Sequence, residues 1–237
     1  GKEIKNADKA QPFVYTVESI QEDTEIGAIF EETAFTVTGY VDLSQASNIT
    51  TDNANTGATV YCTRQSDGYA VAPVVTTTDR KNAAFSVELP KGVWTITVKK
   101  KGYINYTVTD FTVEGTSNVT FGLADGETDT SKAKKITPYI GNTDGSGKVI
   151  SFLDANVIAN GLRPHANQVI KNRSNVDDDE AITYYDLLYV KYNYGRRTVK
   201  ETYDDFMANT ITNPYIPDSE IGRAQSELQS LLMIAYA

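Results

Sequence analysis

The stretch Asn175-Val176-Asp177-Asp178-Asp179-Glu180-Ala181-Ile182-Thr183-Tyr184-Tyr185-Asp186 decides how the second half of the chain is read. Asn175, Asp177 and Asp179 hold the first, third and fifth positions of a loop. Side chains at alternate positions can converge on one point. A hard cation such as Ca²⁺ takes about 6–8 oxygens at about 2.3–2.6 Å, and a loop of this kind presents them in this order. The carbonyl of Ala181, at the seventh position, adds one oxygen. Ile182, at the eighth, turns toward a core. Asp186, at the twelfth, closes the sphere from the first turn of a helix. Two positions depart from the strict pattern. Glu180 stands at the sixth, where glycine eases the turn, and Asp186 is one methylene shorter than the usual Glu. A solvated acidic turn capping a helix would look the same locally, so one copy does not decide the matter.

A second copy lies upstream. Asn142, Asp144 and Ser146 repeat the first, third and fifth positions, with the Lys148 carbonyl at the seventh and Val149 at the eighth. Leu153 occupies the twelfth slot, and the closing carboxylate, Asp154, arrives one residue late. The loop reads as lengthened by one residue and still closed by Asp154. Each loop runs into an apolar segment, 152–158 and 184–194. Two loop–helix units make an internal duplication, which is more specific than either loop alone. The expected cofactor is calcium, two ions.

Composition sets the wider bounds. The chain has 237 residues, enough for one large or two ordinary domains, and its apolar fraction of 40% predicts a packed core. The formal net charge is −9, and no Lys/Arg cluster is interleaved with aromatics, which argues against nucleic acid as a partner. Cys62 is the only cysteine, so no disulfide can form within the chain. It alternates with Val60 and reads as core filler. No stretch has the length of a membrane span. No signal peptide is visible, so a mature or excised fragment is expected. Calcium loops of this strength suit an extracellular module, where the free ion is plentiful.

Upstream of the loops the signals are all β. Residues 1–27 are polar, with one strand candidate at 13–17. Phe35 to Gly39 alternates as a half-buried strand does. Residues 44–56, with Asn48, Asp52, Asn53 and Asn55, predict a long loop. Strands are expected at 58–63, 70–76, 84–89, 93–99, 103–109 and 111–123, the last broken by Glu114-Gly115. Pro90-Lys91-Gly92 is a tight turn. Trp94, Ile96 and Val98 share the core face, and Thr95, Thr97 and Lys99 the other. Short strands between turn residues predict an immunoglobulin-like β-sandwich.

No catalytic set stands out in this region. The only histidine, His165, follows Pro164 in a turn-like context, and hydrolysis would need a carboxylate pair that the sequence does not locate. Residues 126–135 read as a polar linker, and 164–171 as a short linking helix. After Arg197 come Tyr203 and Phe206, expected to fold back and bury their rings against the sandwich or near Tyr139. Asp218 is a candidate N-cap for a last helix with Ile221, Ala224, Leu228, Leu231 and Leu232 as its apolar stripe.

Two calcium loop–helix units after a β-sandwich resemble the X-module–dockerin pair of cellulosome scaffoldins, nearest to type II dockerins. The dockerin part rests on Tyr139-Ile140-Gly141-Asn142, Phe152-Leu153-Asp154 and Asn175 through Asp186. The X-module part rests on Val37 through Val41, Gly57 through Val60 and Leu89 through Trp94, and it also resembles carboxypeptidase regulatory-like sandwiches. The resemblance covers roughly residues 34–197. It implies an all-β sandwich at 1–130, an all-α, EF-hand-like dockerin at 136–200 and a C-terminal helical extension at 201–237. It also implies a secreted, non-catalytic adaptor that binds a cohesin of a scaffoldin or cell-surface anchor in a cellulosome.

The family's cohesin contacts fall on the helices after the loops. Carried over, they are Phe152, Leu153, Ile158 and Ala159 in the first unit, and Tyr184, Tyr185, Leu187, Lys191 and Tyr192 in the second. About half should instead pack the helices together, Ile158 and Leu187 first among them. Tyr184, Tyr185 and Tyr192 suit an interface with one wet end. The rival reading is the non-catalytic, carbohydrate-binding end of a secreted glycoside hydrolase, which an exposed aromatic row on the sandwich would favour. A calcium-regulated enzyme is the third.

Overall fold

The computed structural model describes residues 32–44, 57–144, 148–177, 181–209 and Ser230. The strand candidate at 13–17, all but the start of the 44–56 loop, Ser146, Asp179 and the helix opened by Asp218 lie outside the described residues.

The sequence alternation becomes two facing sheets. Strands β1 (Ala34–Val41), β2 (Thr59–Arg64), β3 (Val74–Val75), β4 (Ala83–Pro90) and β5 (Gly92–Lys99) come first. They are followed by β6 (Gly102–Tyr103), β7 (Tyr106–Val113), β8 (Val119–Thr120), β9 (Ile140–Asn142) and β10 (Val199–Thr202). One sheet runs β4-β1-β8, the other β10-β7-β5-β2-β3, and β6 pairs with β9 as a short third ribbon. β1 and β4 pair antiparallel from Ala34 opposite Pro90 to Val41 opposite Ala83. That register turns Val37, Val41, Phe85, Val87 and Leu89 inward. Val60, Cys62, Trp94, Ile96, Val98, Val108 and Val113 answer from the other sheet. The result is a β-sandwich accompanied by a few short helices.

Trp94 is fully buried, and its indole N–H donates to the Pro90 carbonyl at 3.0 Å. The only tryptophan is therefore a core residue and not part of a sugar platform. Cys62 is buried beside it in the same sheet, and desolvation pushes its thiol up to about 12. A protonated, enclosed thiol is a poor nucleophile. The expected result is that a thiol reagent modifies Cys62 only after denaturation. Modification of the native protein within minutes would contradict this core position.

Several expected elements are redrawn. The strand at 70–76 shrinks to Val74–Val75 plus one bridge from Ala70 to Thr63, because Pro73 has no N–H to give a ladder. The strands at 103–109 and 111–123 are recut. β7 runs through Asp110, which takes a left-handed conformation (φ 63°) inside the strand. The polar segment 126–135 is not a free linker. Lys134 N–H donates to the Gly122 carbonyl at 2.7 Å, and Ile136 is buried and bridges to Val41. A Cβ on Gly122 would sit 2.2 Å from the Lys134 carbonyl oxygen, so the strap fits only over glycine.

The chain returns to the sandwich after the loop–helix region. β10 lies parallel to β7, from Val199 opposite Tyr106 to Thr202 opposite Thr109, and straddles the division expected at residue 200. The Tyr106 hydroxyl donates to the buried Glu201 carboxylate. Helix α4 (Tyr203–Ala208) then places Phe206 in the core. Tyr203 packs its ring 5.0 Å from Phe111 and 5.2 Å from Phe121, and its hydroxyl accepts from Gly122 N–H at 3.1 Å. The tail thus buries its two rings against the sandwich. Region 136–200 contains three helices, α1 (Phe152–Gly161), α2 (Gln168–Ser174) and α3 (Tyr184–Asn193), but also β9 and a bridge from Val149 to Arg197. It is not all-α, because β6 and residues 195–198 supply its outer backbone partners. Residues 32–237 cluster as one compact unit. Among the described residues no helix is long and apolar enough to cross a membrane.

Candidate calcium loops and the helix face beside them

Both loops end in the same device. Ser151 caps α1 by accepting the Leu153 N–H at 3.2 Å, and Thr183 caps α3 by accepting the Tyr185 N–H at 3.1 Å. Each helix carries aspartate at its third position, which completes a capping box. Asp154 Oδ2 accepts from Ser151 N–H at 2.8 Å, and Asp186 Oδ2 accepts from Thr183 N–H at 2.7 Å. The other oxygen of each reaches back across its loop. Asp154 Oδ1 accepts from the backbone N–H of Thr143 at 2.6 Å and of Asp144 at 3.0 Å. Asp186 Oδ1 accepts from Val176 N–H at 2.7 Å. Both carboxylates are fully buried. Asp154 therefore does in the first loop what Asp186 does in the second. The extra residue of the first loop falls between Asp144 and Ser151.

The donor set at the start of each loop suits a hard cation. Asn142 donates through Nδ2 to the Tyr103 carbonyl at 3.2 Å, while its Oδ1 is buried with no hydrogen-bond partner. An acceptor enclosed in this way needs a donor or a cation. Asp177 is buried at the third position of the second loop, and Asp144 is half-buried at the third position of the first. Burial pushes the Asp154 carboxyl above its usual range, and the nearby Asp144 charge adds to this against three backbone N–H bonds. A bound cation would supply the charge that favours the ionised form. Asn142, Asp144, Asp154, Asn175, Asp177 and Asp186 are the described side chains that would hold it. Asn175 is the C-cap of α2, and Ala181 is exposed on the loop before α3. The Lys148 carbonyl already accepts from Thr198 N–H at 3.0 Å. Among the described residues no group of three or more His, Cys, Asp or Glu side chains is arranged to hold a metal; asparagine and peptide oxygens make up much of this set.

Three supports were not legible from loop spacing. Thr143 donates its hydroxyl to the Asp154 carbonyl at 2.8 Å, and Arg173 Nε donates to the Thr143 carbonyl at 2.8 Å. Ser174 donates to the Val157 carbonyl at 2.8 Å, which brings α2 against α1. The linking helix begins at Gln168 because Asn167 caps it, accepting Ile170 N–H at 2.9 Å.

The helices divide the nine candidate contact residues. Ile158 and Leu187 are core, beside Ala155, Tyr189 and Val190. Phe152 and Ala159 are half-buried. Leu153 is 60% exposed, Tyr184 37%, Tyr185 40% and Tyr192 45%, with Lys191 exposed beside them. The Tyr184 and Tyr185 rings stand 6.4 Å apart. Val169 on α2 is a further exposed apolar residue that the sequence gave no reason to single out.

No family model matches the chain, and no curated protein is similar to it. Solved structures do resemble it. One is a C-terminal interface mutant of a type II cohesin–X–dockerin complex from Acetivibrio cellulolyticus, 17% identical, TM-score 0.47. Another is an N-terminal interface mutant of such a complex from the same organism, 18% identical, TM-score 0.48. In each case the match covers 69% of this chain and 97% of the other.

Proposed function

We propose that the chain is a non-catalytic, calcium-dependent adaptor, an X-module–dockerin pair that binds a cohesin and so assembles or anchors a cellulosome outside the cell. The observation that carries this reading is the duplicated closing aspartate. Asp154 and Asp186 each bind their own helix cap and the backbone at the start of their own loop. A solvated acidic turn has no need to bury its carboxylate or to tie a loop shut. In this reading residues 1–130 form the X module, 136–200 the dockerin and 201–237 a C-terminal helical extension.

Calcium, when bound, gives each loop the charge and the rigid oxygen cage that its own backbone lacks. The chain supplies the rest. The capping boxes fix the start of α1 and α3, so Leu153, Tyr184 and Tyr185 sit one turn from the loops at set angles. Tyrosine brings large contact area with little side-chain entropy to lose, which suits a protein interface. Capture on a panel of immobilised cohesins tests the reading. Retention by a type II cohesin in calcium, and release by a chelator, is the expected result. No retention by any cohesin in calcium would overturn it.

The two helices offer unlike faces. Phe152 and Leu153 correspond to Tyr184 and Tyr185, and Ala159 and Asn160 to Lys191 and Tyr192. One orientation on the cohesin should dominate. Replacing Tyr184 and Tyr185 together by Ala is expected to weaken binding about a hundredfold, as loss of interface anchors of about 2 kcal/mol or more does. Replacing Phe152 and Leu153 should cost clearly less. Near-equal losses in a calorimetric titration, with binding abolished only by the quadruple change, would instead indicate two interchangeable modes.

A further inference from the structure

The sandwich reaches under the second loop. Gly102, in β6, has φ +80°, and a Cβ built there would lie 2.3 Å from the Val176 carbonyl oxygen. Only glycine permits that approach. The neighbouring Tyr103 is buried and donates its hydroxyl to the Leu43 carbonyl at 2.9 Å. Arg80, which precedes β4, hydrogen-bonds the hydroxyls of both Tyr103 and Tyr189. Tyr189 is a fully buried residue of α3, and both phenols lie in the field of Asp177. A guanidinium from the sandwich, two phenols and a loop carboxylate therefore form one buried polar cluster. The first loop is built differently. Its carboxylate Asp154 feels the like charge of Asp144, and Arg173, an exposed side chain, bonds a carbonyl there.

We propose that Arg80 is a tethered cation for the second loop, offsetting its carboxylates so that this loop keeps its shape without calcium while the first loop closes only when the ion binds. The inference rests on the calcium reading above. Attraction between opposite charges is stronger in a buried cluster than in water, and the cost of leaving such charges unpaired is correspondingly larger. Arg80 acts as a positioning residue, through the two phenols, and does not ligate the ion. The consequence is an order of events: α3 and its loop stand ready, and calcium completes the first unit beside them.

Amide hydrogen exchange on the full chain tests it, in chelator and in calcium. In chelator the Val176 amide, which donates to Asp186, should exchange at least tenfold more slowly than the Thr143 and Asp144 amides, which donate to Asp154. Calcium should close that gap. Arg80→Met should bring Val176 to the level of Thr143 in chelator, and calcium should restore it. Arg80→Lys keeps the charge and should keep most of the protection. The amides of Ile96 and Val98 in β5 report that the sandwich is intact in each variant. Val176 exchange unmoved by Arg80→Met, or lost equally in Arg80→Lys, would overturn the proposal, as would equal exchange at the two loops in the unsubstituted, chelated chain. If calcium alters exchange at neither loop, the calcium reading itself falls and takes this inference with it.

Discussion

Chelation should lower the melting temperature of the full chain by roughly 15–30 °C. A ligand present at about a thousand times its Kd stabilises the folded state by about 4 kcal/mol, and two ions give about twice that. For a chain of this size each kcal/mol moves Tm by about 2–4 °C. The loss should begin in the first unit, where Asp154 lies buried near the like charge of Asp144. It should also reach the sandwich, because β9 pairs with β6 and leads into that loop. A circular-dichroism melt in EDTA and in millimolar calcium measures this directly. Superimposable melts would show that the loops owe nothing to an ion.

The second large effect is at Phe206. This ring is fully buried, 5.2 Å from Phe121 and 6.5 Å from Tyr106, with the Lys134 ammonium 4.7 Å above it. The Lys134 ammonium also donates to the Phe206 carbonyl. Truncating a buried phenylalanine to alanine costs about 3–5 kcal/mol in lost transfer energy and cavity. Phe206→Ala should therefore lower Tm by roughly 10 °C at saturating calcium, and the exposed control Asp204→Ala should leave it nearly unchanged. The two variants melting alike would mean that the tail does not belong to the sandwich core and that β10 is a dispensable edge.

What the sequence made legible was what depends on local period. Alternation set Trp94, Ile96 and Val98 inward. Spacing placed Asp154 and Asp186 as equivalents in spite of the longer first loop. The apolar stripe correctly made Ile158 and Leu187 core. What was not legible depends on partners far along the chain. Val199-Lys200-Glu201-Thr202 carries two charges and gives little strand signal. It becomes β10 because Lys200 faces solvent and Glu201 is taken up by the Tyr106 hydroxyl. Residues 126–135 are polar, yet backbone bonds to Gly122 and Tyr40 strap this stretch and Ile136 to the sandwich. Arg80 sits in a polar turn after Asp79, and nothing local marks it as the side chain that meets two buried phenols. The residues that join the loops to the sandwich, Gly102 and Tyr103, likewise read only as the end of one strand and the start of another.

The central claim is that each loop–helix unit is a calcium site closed by its buried aspartate. Calorimetric titration of calcium into the chelator-treated full chain tests it most directly. The account requires two ions per chain, with one lost in Asp186→Ala and the other in Asp154→Ala while β5 keeps its amide protection. Binding of no calcium, or of two ions undiminished in both variants, would contradict it.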